Sequence, residues 1–437
     1  MAKYKRSSTN KNKMAPRKRS PAIPTTVHDV PDKLLELILL HLTSPLWIIR
    51  AAATCRRWRR IITNEQFIRH IYHHPPQVAG HYHNPPPLSS GSPTFVLSSS
   101  PVAVDRRYFS LDFLPAGGGK SWKLADSNRS LLLLAKKKSG WMRRCFPDLV
   151  VCEPLTRRHH LIPRPAEMRH HECLAVFLSS FCNNMSNFSV TCVLYECCSG
   201  VPGRVGTVRS CVYYNHWSTA QRWMVGKSAA ADGLHLHLQG QDSLQLVGRD
   251  WNTSFWWIRD QRPMRLVCSY WYNTGFSLAF VPEHIRRSCV DPSVFRVVSG
   301  SDNQVRITCL DGGNLKVFAT RYWYGGIKVA EDWIFEKCVN LGMITRGLAF
   351  HKDDYFGNLA AKIVRVIRER CVMLTLEEET WLVTVDIGTM EVESWSRGSK
   401  CAAAAYPYEL LWPPRFRACA CPCARRSQGP CSEICNC

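Results

Sequence analysis

No apolar run in this 437-residue chain approaches the about 20 residues that a membrane-spanning helix needs. "LLELILLHL" is broken by Glu36 and His41, and "LLLLA" at 131–135 is too short. A secretory leader is missing too, because the basic start runs into Ser, Asn and Pro where an apolar core would be needed. A soluble protein of the nucleus or cytoplasm is therefore expected. Catalytic motifs are equally scarce. "GGGKS" at 117–121 has Leu114 where a phosphate-binding loop needs its first Gly, and "HHEC" at 170–173 has no His three residues after Glu172. No Gly-x-Ser-x-Gly elbow occurs. No catalytic residue and no cofactor is expected.

Acidic residues are also short, at 34 against 57 Lys plus Arg, which leaves a formal charge of +23. Nucleic acid and acidic protein surfaces both suit such a chain. Much of the surplus is local, since Lys3, Lys5, Arg6, Lys11, Lys13, Arg17, Lys18 and Arg19 meet no acid in the first 20 residues. Residues 1–26 read as a basic disordered arm, too polar to offset its ordering entropy by burial. "KYKR" and "RKR" in it fit a nuclear import signal or a solvated tail equally well.

Cysteine is plentiful, and its odd total of 21 argues against complete internal pairing. Most cysteines stand singly in strand-like contexts such as "SVTCVLYECC" and read as reduced, buried small hydrophobes. The end differs: Cys419, Cys421, Cys423, Cys431, Cys435 and Cys437 crowd into a tail, residues 418–437. Their Cys-x-Cys pairs could chelate a soft metal. They lack the Cys-x-x-Cys spacing of structural zinc sites, so a tail without metal is the preferred reading.

"VPDKLLELILLHL", from Val30, predicts a helix with Pro31 in its first turn. Leu34, Leu37, Ile38 and Leu42 form one apolar stripe at helical spacing, and Leu35 and Leu39 form a second beside it. A surface helix buries one stripe. A second helix follows, with Ser44 as N-cap and Pro45 at its first position. "CRRWRRIITNEQFIRHI" sets Cys55, Trp58, Ile61 and Ile62 on an apolar face among four arginines, with Thr63 and Gln66 at capping-box spacing. So small a module, residues 27–72, rarely has a sufficient core of its own. Its surplus face needs either a permanent partner or the downstream domain, and the residues alone do not decide which.

Residues 73–101 hold seven prolines and many serines and read as an extended linker. His73, His74, His81 and His83 read there as exposed loop histidines, with no Cys or carboxylate close by to complete a metal site. From 102 to 417 short apolar stretches recur. "GLHLHLQG" alternates as a half-buried strand should, and "QVRITCL", "DGGN" and "LKVFAT" read as a hairpin. "CVMLTL", "EEET" and "WLVTVDI" read as another, followed by a strand at "MEVESW". The fold class is therefore α+β and multidomain, a small N-terminal helical module followed by an all-β, propeller-like domain. At about 40 to 50 residues a blade this domain would hold about six to eight blades.

"VPDKLLELILLHLTSPLWIIRAAATCRRWRRIITNEQF" resembles the F-box, with Val30 for the usual Leu and Thr54 where many members carry Val. "ADSNRSLLLL", "VVCEPLTRRHHLIPRP", "WIFEKCVNL", "RGLAFHKDDYF" and "TWLVTVDIGTMEVESW" resemble, in order, phrases of the F-box-associated β-propeller of plant proteins, especially the large grass families. Ser130 there replaces a customary Gly, and Glu153 replaces Asn or Asp in a turn motif. The resemblance implies a three-helix F-box. It also implies a non-catalytic subunit of an SCF-type ubiquitin ligase that binds a Skp-type adaptor, through it a cullin scaffold, and a protein target on the propeller. Pro31, Leu34, Leu37, Ile38, Leu42, Ile49, Cys55 and Trp58 would then be shared between the module's core and the adaptor interface. A basic nuclear protein holding nucleic acid is the alternative.

Overall fold

The computed structural model describes residues 27–42, 45–64, 66–67, 70, 77–85, 91–98, 106–115, 118–136, 146–165, 168, 171–179, 184–196, 207–216, 219–229, 244–249, 253–258, 265–270, 276–287, 293–299, 304–320, 333–348, 361–367, 371–376, 381–397 and 405–410. The basic arm, "GLHLHLQG" and the Cys-rich tail lie outside them. The chain divides into two compact units, Met1–His73 and His74–Cys437.

The first unit holds α1 (Asp32–Leu40), α2 (Pro45–Thr54) and α3 (Arg56–Ile62). Pro31 is the N-cap of α1 and not its first helical residue; its carbonyl accepts from the N–H groups of Leu34 and Leu35, both at 3.0 Å. Cys55 caps α3 by accepting the Trp58 N–H on its sulfur at 3.5 Å. Past α3, the Gln66 N–H is taken by Asn64 at 2.9 Å, whereas the Thr63 hydroxyl turns back to the Arg59 carbonyl at 2.9 Å. Among the described residues of this unit, Leu35, Leu39, Ile48, Ala51, Ala52, Ile61, Ile62 and Phe67 are the buried apolar side chains.

The second unit is a β-propeller with five four-stranded antiparallel blades. Blade one is β3 (Trp122–Asn128), β4 (Leu131–Lys136), β5 (Leu149–Glu153) and β6 (Arg158–Ile162). Blade two is β7 (Glu172–Leu178), β8 (Asn187–Glu196), β9 (Thr207–His216) and β10 (Thr219–Ser228). Blade three is β11 (Leu244–Arg249), β12 (Thr253–Ile258), β13 (Arg265–Tyr270) and β14 (Phe276–Phe280). Blade four is β15 (Phe295–Ser299), β16 (Val305–Asp311), β17 (Asn314–Thr320) and β18 (Trp333–Asn340). Blade five is β19 (Ala361–Ile367), β20 (Cys371–Leu376), β21 (Trp381–Asp386) and β22 (Glu391–Arg397).

A further three-stranded sheet, in the order β2 (Thr94–Leu97), β1 (Gln77–His83), β23 (Ala405–Leu410), joins the two ends of the unit. Strand β23 touches β3 on one side and β19 on the other, so this sheet takes the remaining place in the ring. Among the described residues the count is thus five full blades and a closing sheet, against the six to eight blades expected from length. Closure by pairing β1 with β23 leaves no open seam for blades to splay from.

That closing sheet corrects the reading of 73–101 as a linker. The prolines at 75, 76 and 85–87 bracket β1 and do not interrupt it, so the strand keeps its ladder hydrogen bonds. Strand β1 also carries His81 and His83, which are not exposed loop residues: 4% and 1% of their surface reaches solvent. Their face was illegible because one of the two strands that flank β1 lies more than 300 residues away in sequence.

The core lies between blades. Leu133, Val151 and Ile162 of blade one pack with Val190, Cys192 and Tyr213 of blade two, and Phe177 and Tyr195 of blade two pack with Trp256 and Ile258 of blade three. Phe255 meets Ile307 and Phe318 of blade four, and Leu315 and Val317 meet Ile363, Leu374 and Val385 of blade five. Cys152, Cys192, Cys211, Cys309 and Cys371 are buried in this core.

Candidate functional site

In the first unit the two stripes of α1 separate. Leu35 and Leu39 are each 1% exposed, whereas Leu34, Leu37 and Ile38 are 52%, 54% and 56% exposed. Spacing of three and four residues keeps the exposed trio on one side of the helix. Trp47 of α2, 48% exposed with the Arg50 guanidinium 5.1 Å from its ring centre, adds a large apolar surface that the sequence reading did not single out. Its exposure could have been read from the buried triplet Ile48, Ala51 and Ala52, which leaves Trp47 and Arg50 on the other side of α2.

A polar clamp holds α1 to α3. Arg57 Nε donates to Asp32 Oδ1 at 2.7 Å and Arg60 Nη2 to Oδ2 at 2.8 Å, while Arg57 also donates to the carbonyls of Val27 and Val30. The Arg57 hydrogen bond, with help from Arg60, holds the Asp32 carboxyl below its usual range. Residues 27–74 match the F-box-like family model. This unit is an F-box-like domain.

Of the residues expected at the adaptor interface of the F-box-like domain, Pro31, Leu34, Leu37 and Ile38 are exposed. Leu42, Cys55 and Trp58 are half-buried, and the side chain of Ile49 lies outside the described residues. The tail cysteines, 419 to 437, also lie outside them. Among the described residues no group of three or more His, Cys, Asp or Glu is placed to hold a metal ion, and no helix is long and apolar enough to cross a membrane.

In the propeller the innermost strands converge on Asp126. One extra residue in β3, between Leu124 and Asp126, shifts the register against β4, and a similar shift in β19 precedes Arg365. Such bulges re-aim the side chains that follow them. Asp126 Oδ2 accepts from the Arg249 guanidinium of β11 and from the Leu178 N–H of β7 at 2.8 Å; Oδ1 accepts from Arg365 of β19. Arg249 further donates to the carbonyls of Leu178 at 3.0 Å and Ser127 at 3.3 Å, and Arg365 to that of Ser127 at 3.3 Å. One carboxylate thereby ties blades one, two, three and five. The guanidinium of Arg365 also lies 4.9 Å from the ring centre of Tyr406 in the closing sheet.

The propeller resembles solved structures at low identity. They include the β-propeller domain of Myceliophteria thermophila Cps50 (Swd1), at 8% identity and a TM-score of 0.33 over 66% of this chain and 75% of that one. A functionally unknown protein from Desulfotomaculum acetoxidans matches at 11% identity and a TM-score of 0.32, over 65% of this chain and 75% of that one. Citrobacter koseri AztD matches at 10% and 0.26, over 69% and 63%. No curated protein matches the chain.

Proposed function

We propose that this chain is the target-recruiting subunit of an SCF-type cullin-RING ubiquitin ligase. Its F-box-like domain binds a Skp-type adaptor and, through it, the cullin scaffold, while the propeller holds a protein target. The observation that carries this reading is the exposed trio Leu34, Leu37 and Ile38, with Trp47, on a domain that matches the F-box-like family. Contiguous apolar side chains left in water mark an interaction surface. The subunit does no bond chemistry of its own: it acts by raising the local concentration of target beside the ubiquitin-loading enzyme. The ordered phrases shared with F-box-associated propellers of plant proteins, notably "ADSNRSLLLL" and "VVCEPLTRRHHLIPRP", support assigning the second unit to that type. Action in the nucleus or cytoplasm goes with this reading.

The test is co-purification of the tagged full chain with a Skp-type adaptor and a cullin, comparing wild type with a variant carrying Leu34→Ala and Leu37→Ala. Both positions are more than half exposed, so the variant keeps the buried set and its fold. Capture of both partners by wild type and of neither by the variant is expected. A folded wild type that captures neither overturns the reading and turns attention to nucleic acid, whose binding would fall steeply with salt.

A further inference from the structure

We propose that the mouth of the propeller's central channel binds a carboxylate of an acidic peptide, with Arg365 as the residue that reads it. This deepens the reading of the propeller as the part that holds the target.

Strand direction assembles the site. Strands β11 and β15 run parallel, and the innermost strands β3, β7, β11 and β19 bring residues from their C-terminal halves together. Asp126 and Ser127 come from β3, Leu178 from the end of β7, Arg249 from the end of β11 and Arg365 from β19. The cluster therefore lies toward the C-terminal ends of the innermost strands. The Arg249 and Arg365 side chains keep 22% and 19% of their surface in solvent, whereas Asp126 keeps 4%.

Arg365 is only partly engaged. Its Nη2 meets Asp126 and the Ser127 carbonyl, and its face rests on Tyr406. Its Nε and Nη1 bond to no protein group among the described residues. Asp126 is shared with Arg249, so its carboxylate is divided between two guanidiniums. A guanidinium held rigidly by a carboxylate and an aromatic face, with part of its fork unspent, is preorganised for a second oxyanion. The partial burial of the cluster strengthens that attraction relative to open water. Asp126 also limits the ligand's charge, because its carboxylate lies beside the free fork and repels a dianion more than a monoanion. That favours the carboxylate of an Asp or Glu side chain, or of a chain terminus, over a phosphate group.

The test is fluorescence anisotropy of the full chain with labelled tetra-glutamate peptides, one ending in a free acid and one in an amide, and with a phosphoserine counterpart. Lys123→Gln, which removes one exposed positive charge from β3, controls for the general attraction of a +23 chain. Wild type should bind both glutamate peptides saturably if side chains are read, or the free acid alone if the terminus is read. Arg365→Gln should weaken binding at least about tenfold, and Lys123→Gln less than about twofold, each with a folded far-UV spectrum. Should Arg365→Gln not fold, Arg365→Lys takes its place, since it keeps the charge but loses the planar fork; the same tenfold loss is expected. Absence of saturable binding by wild type, equal weakening by the control, unchanged affinity in a folded Arg365 variant, or tighter binding of the phosphoserine peptide overturns the assignment. The assay contains no adaptor, so its failure leaves the adaptor reading standing, and failed adaptor capture leaves this one standing.

Discussion

Ser130 donates a 2.9 Å hydrogen bond to Glu153 Oε1, joining the β3–β4 turn to the end of β5. These are the two positions at which blade one departs from the resembling motif, Gly to Ser and Asn or Asp to Glu. Thr156 donates to the other oxygen, Oε2, at 2.7 Å, so both carboxylate oxygens have a donor. Each departure supplies what the other needs.

Removing one half of that pair should therefore cost more than an ordinary surface change. Ser130→Ala strips a donor from a part-buried carboxylate and is expected to lower unfolding stability by about 1–3 kcal/mol. Denaturant unfolding of Ser130→Ala, Glu153→Ala and the double variant measures the coupling. The double variant should be less destabilised than the sum of the two singles.

Acid should weaken the closing sheet. Among the described residues no ring nitrogen of His81 or His83 has a hydrogen-bond partner, and burial pushes their pKa values down to about 3 and about 4. For His81 the charge of His83 adds to the depression. The fold accepts these rings only as neutral groups. Above pH 6.5 both states are neutral and nothing is lost; as pH falls below 6.5 the unfolded chain takes up protons that the folded chain refuses. Stability should drop by about 4 kcal/mol between pH 7 and pH 5 from this pair, flattening below pH 4 and then 3. Unfolding curves of wild type and of a His81→Leu, His83→Leu variant at pH 7, 6 and 5 check this. Parallel loss in the two proteins would rule the histidines out as the cause.

Where blades three and four join, β11 passes so close to β15 that a Cβ on Gly248 would lie 2.0 Å from the Val297 carbonyl oxygen. No side-chain rotation relieves a clash with backbone. Gly248→Ala should force the strands apart and lower stability by about 1–3 kcal/mol. Gly312→Ala is the contrast: a Cβ there meets nothing within 4 Å, and its cost comes from the positive φ of 58° in the β16–β17 turn. Differential scanning calorimetry of both variants separates crowding from turn strain.

The helices and hairpins were legible locally. Pro31, the paired leucine stripes and Pro45 mark α1 and α2, because a helix repeats within four residues and declares its faces in its own sequence. The β16–β17 hairpin shows in the same way, through apolar strands on either side of Gly312 and Gly313. Which stripe of α1 stays in water was not legible, since Leu34 and Leu35 are the same residue type and differ only in burial within the folded unit.

By itself the sequence determined a helical module with more apolar surface than it can bury, an all-β domain behind it, and a positive charge concentrated at the start. Tertiary structure alone decided that β1 and β23 close the ring, that His81 and His83 are buried, and that Asp126 gathers Arg249 and Arg365. The reason is separation along the chain. Local periodicity records how a segment meets its immediate neighbours, whereas Asp126 and Arg365 stand 239 residues apart. Only ring closure, aided by a bulge in each of their strands, brings those two charges together.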